Sequence, residues 1–155
     1  EAVQAAALAR YQRWEQSAGG DDFYTVRAEL QKTMQAHFGV FREQSTLREG
    51  LEKLKVLRER VKTACMPDKS KVFNTARIEA LELDNLMETA MATAVSALNR
   101  TESRGAHSRE DYPKRDDKNW LKHTTYHSAG DTIQYRSVNM KPKSIKPFPP
   151  KERVY

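Results

Sequence analysis

The chain has 155 residues, 38% of them hydrophobic and 31% charged, with a formal net charge of +6. That length fits one domain with an adequate core, but the low apolar content leaves much of the chain for solvent or a partner. One cysteine, Cys65, excludes an intramolecular disulfide framework and suits a reducing compartment, and no apolar run approaches the roughly 20 residues needed to cross a bilayer.

In chain order, Val3, Ala7, Tyr11 and Trp14 fall at helical spacing and predict a first helix to about Gln16, stopped by Ser17-Ala18-Gly19-Gly20. Asp21 or Asp22 caps a second helix, whose stripe is Phe23, Val26, Leu30, Met34 and Phe38 and which ends near Gly39. The short connection predicts that these two helices pair antiparallel. Thr46-x-x-Glu49 reads as a capping box opening a third helix with the stripe Leu47, Leu51, Leu54, Leu57 or Arg58, and Val61, broken by Met66-Pro67-Asp68. Asn74 or Thr75 caps a fourth helix running to about Thr101, with Ser103 in a last turn and Gly105 redirecting the chain through a left-handed conformation. Its centre, Leu86, Met87, Ala90, Met91, Ala94, Val95 and Leu98, has few charges and small side chains, so it is predicted to be the buried helix that the other three surround.

After residue 117 the pattern changes. Trp120, Thr124 and Tyr126, then Ile133, Tyr135 and Val138, flank Ser128-Ala129-Gly130-Asp131 and predict a β-hairpin that must lie on another surface. Lys141 to Tyr155 holds four of the six prolines and reads as an extended Pro/Lys-rich tail, the least stable part of the chain. The fold class is therefore mainly α: a three- to four-helix bundle over residues 1–101, then a docking loop, a small hairpin and an extended tail over 102–155.

The positive charge is uneven, with 15 Lys/Arg against 14 Asp/Glu up to residue 101 and 12 against 7 beyond it. The excess lies among prolines rather than along one rigid face with stacking aromatics, which argues against nucleic acid and for a tail that embraces a partner. His123 and His127 lie in a strand pattern with no carboxylate or thiolate at ligand spacing, so metal binding is not expected. Cys65 sits at a helix end with no local histidine and reads as a structural thiol, and Trp120 and the methionines read as core or interface.

Residues 102 to 117 read Glu-Ser-Arg-Gly-Ala-His-Ser-Arg-Glu-Asp-Tyr-Pro-Lys-Arg-Asp-Asp, a polar run after the longest helical pattern. Glu102, Ser103, Arg104 and His107 are the one cluster that resembles catalytic machinery, but Ser103 lacks the sharp turn and oxyanion setting of a nucleophile. Arg104 and Arg109 offer planar bidentate donors to carboxylates or carbonyls, so Glu102, Ser103, Arg104, Gly105, His107 and Arg109 are candidate inter-domain docking residues.

The run resembles the E-S-R-G-A-H-S-R-x-D-Y/F-P-x-R-D-D stretch of the flavoprotein subunit in the succinate dehydrogenase/fumarate reductase family. Leu81 to Ala90, Asn119-Trp120-Leu121-Lys122-His123 and Arg136 to Lys143 extend the resemblance, which is to the C-terminal part of that subunit, over essentially the whole chain. Arg136-Ser137-Val138-Asn139-Met140 and the ending Phe148-Pro149-Pro150-Lys151-x-Arg153-x-Tyr155 resemble the bacterial succinate dehydrogenases most.

The resemblance implies an intact subunit that oxidises succinate to fumarate through a covalent FAD and passes electrons by an iron–sulfur subunit to quinone. Such a subunit lies peripherally at the cytoplasmic face of the bacterial inner membrane. The family begins with a dinucleotide-binding fold, and the only paired glycines here, Gly19-Gly20, lie between two helices. The chain also opens on Glu1 inside a helical pattern, without an initiator Met or targeting signal. It is therefore expected to be an excised C-terminal domain that holds no catalytic, cofactor or metal residue, binds no FAD and is inactive alone. Its expected partners are the FAD-binding domain of the same subunit and the iron–sulfur subunit. The rival reading is a free-standing helical module that binds an acidic protein through its basic tail.

Overall fold

A computed structural model describes residues 1–149; the tail features at Pro150, Lys151, Arg153, Val154 and Tyr155 lie outside the described residues. Four helices, α1 (Ala2–Gln16), α2 (Phe23–His37), α3 (Gln44–Thr63) and α4 (Thr75–Asn99), carry the core. Short polar side chains start two of them. The Asp22 carboxylate accepts the Tyr24 N–H at 2.9 Å, and Asn74 Oδ1 accepts the Arg77 N–H at 2.8 Å, each satisfying an amide that has no partner within its own helix.

The Thr46 capping box does not form. Helix α3 starts three residues earlier than that box implies, at Gln44, and Thr46 lies inside its first turn with its hydroxyl on Glu43. The Gln44 N–H is instead taken at 3.0 Å by Asp111, a carboxylate from the distant loop, so tertiary contact overrides the local motif.

The core lies among α2, α3 and α4. Val26 and Leu30 of α2 and Leu47, Leu54 and Leu57 of α3 are buried there, and α4 packs against both helices with Ala80, Leu83, Met87, Ala90, Met91 and Ala94 buried. Small and flexible side chains on α4 let its neighbours come close on more than one side, as the alanine and methionine pattern predicted. Leu86, expected in that buried stripe, is 43% exposed. In the second turn of α3, Gly50 allows the end of α2 to approach, because a Cβ there would lie 2.4 Å from His37 Cβ.

Helix α1 packs on α4 rather than antiparallel to α2. One fully buried side chain, Trp14, anchors it, donating Nε1–H to Asp84 at 3.0 Å while Arg10 and Arg13 pair with the same carboxylate. The α1–α2 link is tied to the end of α3 instead: Cys65 N–H donates to Asp21 O at 2.8 Å and Phe23 N–H to Cys65 O at 3.1 Å. Gly20, at φ +77°, is pressed so close to α3 that a Cβ would sit 2.3 Å from the Thr63 carbonyl oxygen.

Beyond α4 the chain makes β2 (Ser108–Arg109), parallel to β1 (Phe41–Arg42), then one helical turn α5 (Asp117–Trp120), then a hairpin of β3 (Lys122–His127) and β4 (Thr132–Ser137). The hairpin pairs antiparallel from Lys122 with Ser137 to His127 with Thr132. Trp120 belongs to α5 and not to the strand, because Asp116 caps that turn by accepting the Asn119 N–H at 3.0 Å. The hairpin lies on the bundle as its instability alone requires. Asp131 at its turn takes both terminal nitrogens of Arg58 at 2.8 Å, and the Tyr135 hydroxyl donates to Asn99 Oδ1 at 2.5 Å. The described tail, from Met140 to Pro149, forms no helix or strand and is mostly exposed.

Candidate docking site

Helix α4 ends at Asn99, earlier than the helical pattern suggested, with Arg100 already extended. Ser103 is consequently outside the helix. The ending frees the last carbonyls of α4, and the loop that follows supplies the donors. Arg109, fully buried, turns back so that its Nη1 donates to the carbonyls of Ala97, Leu98 and Arg100 at 3.3, 3.4 and 3.2 Å. Its other edge forms a two-point pair with Asp111, Nε to Oδ1 at 2.7 Å and Nη2 to Oδ2 at 2.6 Å. One arginine therefore closes a helix end and, through Asp111, starts α3.

Glu102 is the second buried charge. Its carboxylate accepts Arg100 Nη1 at 2.6 Å, Arg104 Nε and Nη2 at 2.7 and 3.0 Å, and the Asp116 N–H at 2.8 Å. Burial pushes its pKa up, but the hydrogen bonds from Arg104, the Asp116 amide and Arg100 prevail and leave it below the usual carboxylate range. Arg104 continues outward to Asp117 at 2.7 Å, so buried and surface charges form one network.

Between these charges the chain reverses through Arg104-Gly105-Ala106-His107. Arg104 N–H donates to His107 O at 2.8 Å and His107 N–H to Arg104 O at 3.0 Å, with Gly105 at φ +56°, as a left-handed turn requires. Ser103 Oγ accepts the Arg109 N–H at 2.8 Å and donates to Tyr112 O at the same distance, stapling the two limbs of the loop. Its hydroxyl is engaged with backbone and has no histidine partner.

His107 is held in one tautomer by its neighbours. Nε2 lies 3.0 Å from the Arg100 carbonyl, which can only accept, and Nδ1 lies 3.0 Å from Arg42 Nη1, which can only donate. Burial, followed by the charges of Arg42, Arg109 and Arg100, holds its pKa below the ordinary histidine value even though the bond to the Arg100 carbonyl opposes this. Arg42 closes the end of α2, donating to Gly39 O at 2.9 Å and Phe38 O at 3.1 Å. His107 thus joins the α2 and α4 termini.

The six sequence-derived residues lie in one loop, but they face different ways. Glu102 and Arg109 point inward, Ser103 and His107 are half-buried, and Arg104 and Gly105 reach the rim. Arg42, Arg100 and Asp111 complete the network and were not singled out in the sequence. Arg42 precedes His107 by 65 positions, and no local pattern signals such a pairing.

The glycine pair does not fit a dinucleotide. No strand precedes Gly19-Gly20, and Gly20 abuts Thr63 O rather than opening toward space for a phosphate.

Residues 27–155 match the family of fumarate reductase flavoprotein C-terminal regions, and the chain belongs to that family. It is 58% identical over 148 residues, 96% of the chain, to a Coxiella burnetii succinate dehydrogenase flavoprotein subunit, and spans 25% of that protein. It is 41% identical over 138 residues, 88% of the chain, to a Mycobacterium tuberculosis fumarate reductase flavoprotein subunit, of which it spans 23%. Among solved structures it resembles an E. coli quinol fumarate reductase with a TM-score of 0.84 and 34% identity, over 99% of this chain and 26% of that one. The chain therefore corresponds to about a quarter of the length of these relatives, their C-terminal domain. The relatives are oxidoreductase flavoprotein subunits of both names.

Proposed function

We propose that this chain is the C-terminal helical domain of a bacterial succinate dehydrogenase flavoprotein subunit and that its work there is to scaffold. The higher identity to the C. burnetii succinate dehydrogenase subunit than to the M. tuberculosis fumarate reductase subunit supports the succinate-oxidising direction. In the intact subunit a covalent FAD held by the preceding domain takes the hydride from succinate, and an iron–sulfur subunit carries electrons toward quinone. Residues 1–101 form the supporting bundle and 102–155 the docking portion. The subunit's place in this reading is peripheral, on the cytoplasmic face of the inner membrane; no helix among the described residues is long and apolar enough to cross a membrane.

The observation that carries this reading is the double capping by Arg109 and the saturation of Glu102. Together they fix residues 100–117 on the bundle while Arg104 and Gly105 remain at the rim. An element so firmly held from within is suited to receive a neighbour without reshaping. Glu102 and Arg109 act by shaping the loop; Arg104, Gly105 and the exposed edge of His107 are the contact. The purified chain binds no FAD and oxidises no succinate by itself. Mixed with the separately produced N-terminal remainder of the C. burnetii subunit, it co-elutes in size-exclusion chromatography as a one-to-one complex. Flavin absorbance in the chain alone, or no association with that remainder, refutes the proposal.

A further inference from the structure

An open cleft of about 590 Å³ lies beside the loop, between the end of α4 and β3. Arg42, Arg100, Arg104, His107, Lys122 and His123 line it, and no aspartate or glutamate does. Ala97, Trp120 and Leu121 add apolar surface to its lining. We propose that this cleft receives an acidic polypeptide segment from the flavin-binding part of the subunit, two or more carboxylates meeting its basic wall; the identity of that donor rests on the domain reading above.

Charge accounting carries the argument. Arg100 and Arg104 are balanced by Glu102, and Arg104 also by Asp117. Arg42 and Lys122 are in no ion pair among the described residues. Arg42 has only the carbonyls of Phe38 and Gly39 and the ring of His107. Lys122 Nζ stands over the rings of Trp120 and Tyr135, 4.8 and 3.8 Å from their centroids. A half-buried guanidinium without a counter-ion and an ammonium held over two aromatic faces leave a positive surplus where an incoming carboxylate gains most. Burial accordingly disfavours the charged form of Arg42.

The shape favours a chain over a small anion. The cleft is open to solvent and cannot enclose a small ligand on most of its surface, as small-molecule sites do. Strand β3 forms one wall and belongs to a two-stranded sheet, so its outer edge has no partner strand to oppose an extended segment. A nucleic-acid strand would find one large ring, Trp120, in the cleft lining, with no phenylalanine or tyrosine there to continue a stacking series.

The test uses the whole chain, labelled with ¹⁵N, and a capped oligoglutamate peptide as probe, with capped oligoglutamine, free succinate, inorganic phosphate and a single-stranded oligonucleotide as comparators. Oligoglutamate is expected to shift the amides of Thr93, Ser96 and Leu121 to Thr124, while oligoglutamine shifts none. Lys122→Gln is expected to weaken binding roughly fivefold or more. Lys122→Arg should restore it, and Lys32→Gln on the exposed face of α2 should leave it unchanged. Equal weakening by Lys122→Gln and Lys32→Gln, or shifts scattered over all basic residues, would reduce the effect to net charge and overturn the proposal. Matching shifts with succinate or phosphate at equal affinity would make it a small-anion site, and tighter binding of the oligonucleotide a nucleic-acid site; either overturns it. Co-elution with the C. burnetii remainder that survives Lys122→Glu would sink the cleft and spare the domain reading, whereas oligoglutamate binding without any co-elution would sink the domain reading.

Discussion

Replacing Arg109 with alanine is the sharpest probe of how the loop is held. The guanidinium is fully buried, pairs at two points with Asp111, and shares Nη1 among three α4 carbonyls. Breaking a buried ion pair by removing one partner costs about 3–5 kcal/mol, and the loss of the long arginine stem adds a void. Two features moderate this. The Asp111 side chain is 28% exposed and keeps the Gln44 N–H, and the Arg100 carbonyl keeps His107. The expected cost is therefore near the lower bound, about 3 kcal/mol. At roughly 2–4 °C per kcal/mol for a chain of this size, the thermal midpoint falls by about 6–12 °C. Lysine keeps the charge but not the two-point geometry and should cost about 1.5–3 kcal/mol. Urea titration followed by circular dichroism gives both values, and a double-mutant cycle with Asp111→Asn isolates the pair. A loss under about 1 kcal/mol for Arg109→Ala, with slow amide exchange retained at Arg100 and Gln44, would refute the capping argument.

Three further outcomes follow from the same geometry. Gly50→Ala places a Cβ 2.4 Å from His37 Cβ and 2.7 Å from Phe38 Cε2 inside a packed interface, so it destabilises by about 1–3 kcal/mol in urea titration despite alanine's better helix propensity; a stabilised variant would mean α2 and α3 are not in contact there. His107 has a folded pKa below its unfolded value, so its contribution is complete above the unfolded value, near 6.5, and is lost as pH falls through the folded one; thermal midpoints should drop from pH 7.5 to pH 5.5, and His107→Gln should flatten that drop. Amides of the described tail after Lys141 exchange rapidly in the isolated chain, since Met140, Ile145 and Phe148 are 46, 71 and 91% exposed and offset little of the ordering entropy; slow exchange in a monomer would show that the bundle itself retains the tail.

Helix positions were legible in the sequence because they are set locally. Asp22 and Asn74 cap through amides two or three residues away, and the apolar spacing of α2, α3 and α4 marks faces that must leave water. The polar run at 102–117 was likewise legible as an element that must bind something, since it has no apolar means to order itself, and the hairpin was visible from alternation around Gly130-Asp131. Only the tertiary structure decided what each piece rests on. The sequence shows Thr46 and Glu49 at capping spacing, but Asp111 arrives from 67 residues away to start α3 before Thr46 can. Asp84 draws α1 to α4 through Arg10, Arg13 and Trp14, which no spacing within α1 foretells. Which of Glu102, Arg104, His107 and Arg109 face inward depends on where the carbonyls of Ala97, Leu98 and Arg100 end. A charged side chain is legible as a donor or acceptor wherever it stands, but its partner is chosen by burial, where an unpaired charge costs most, and burial belongs to the folded chain as a whole.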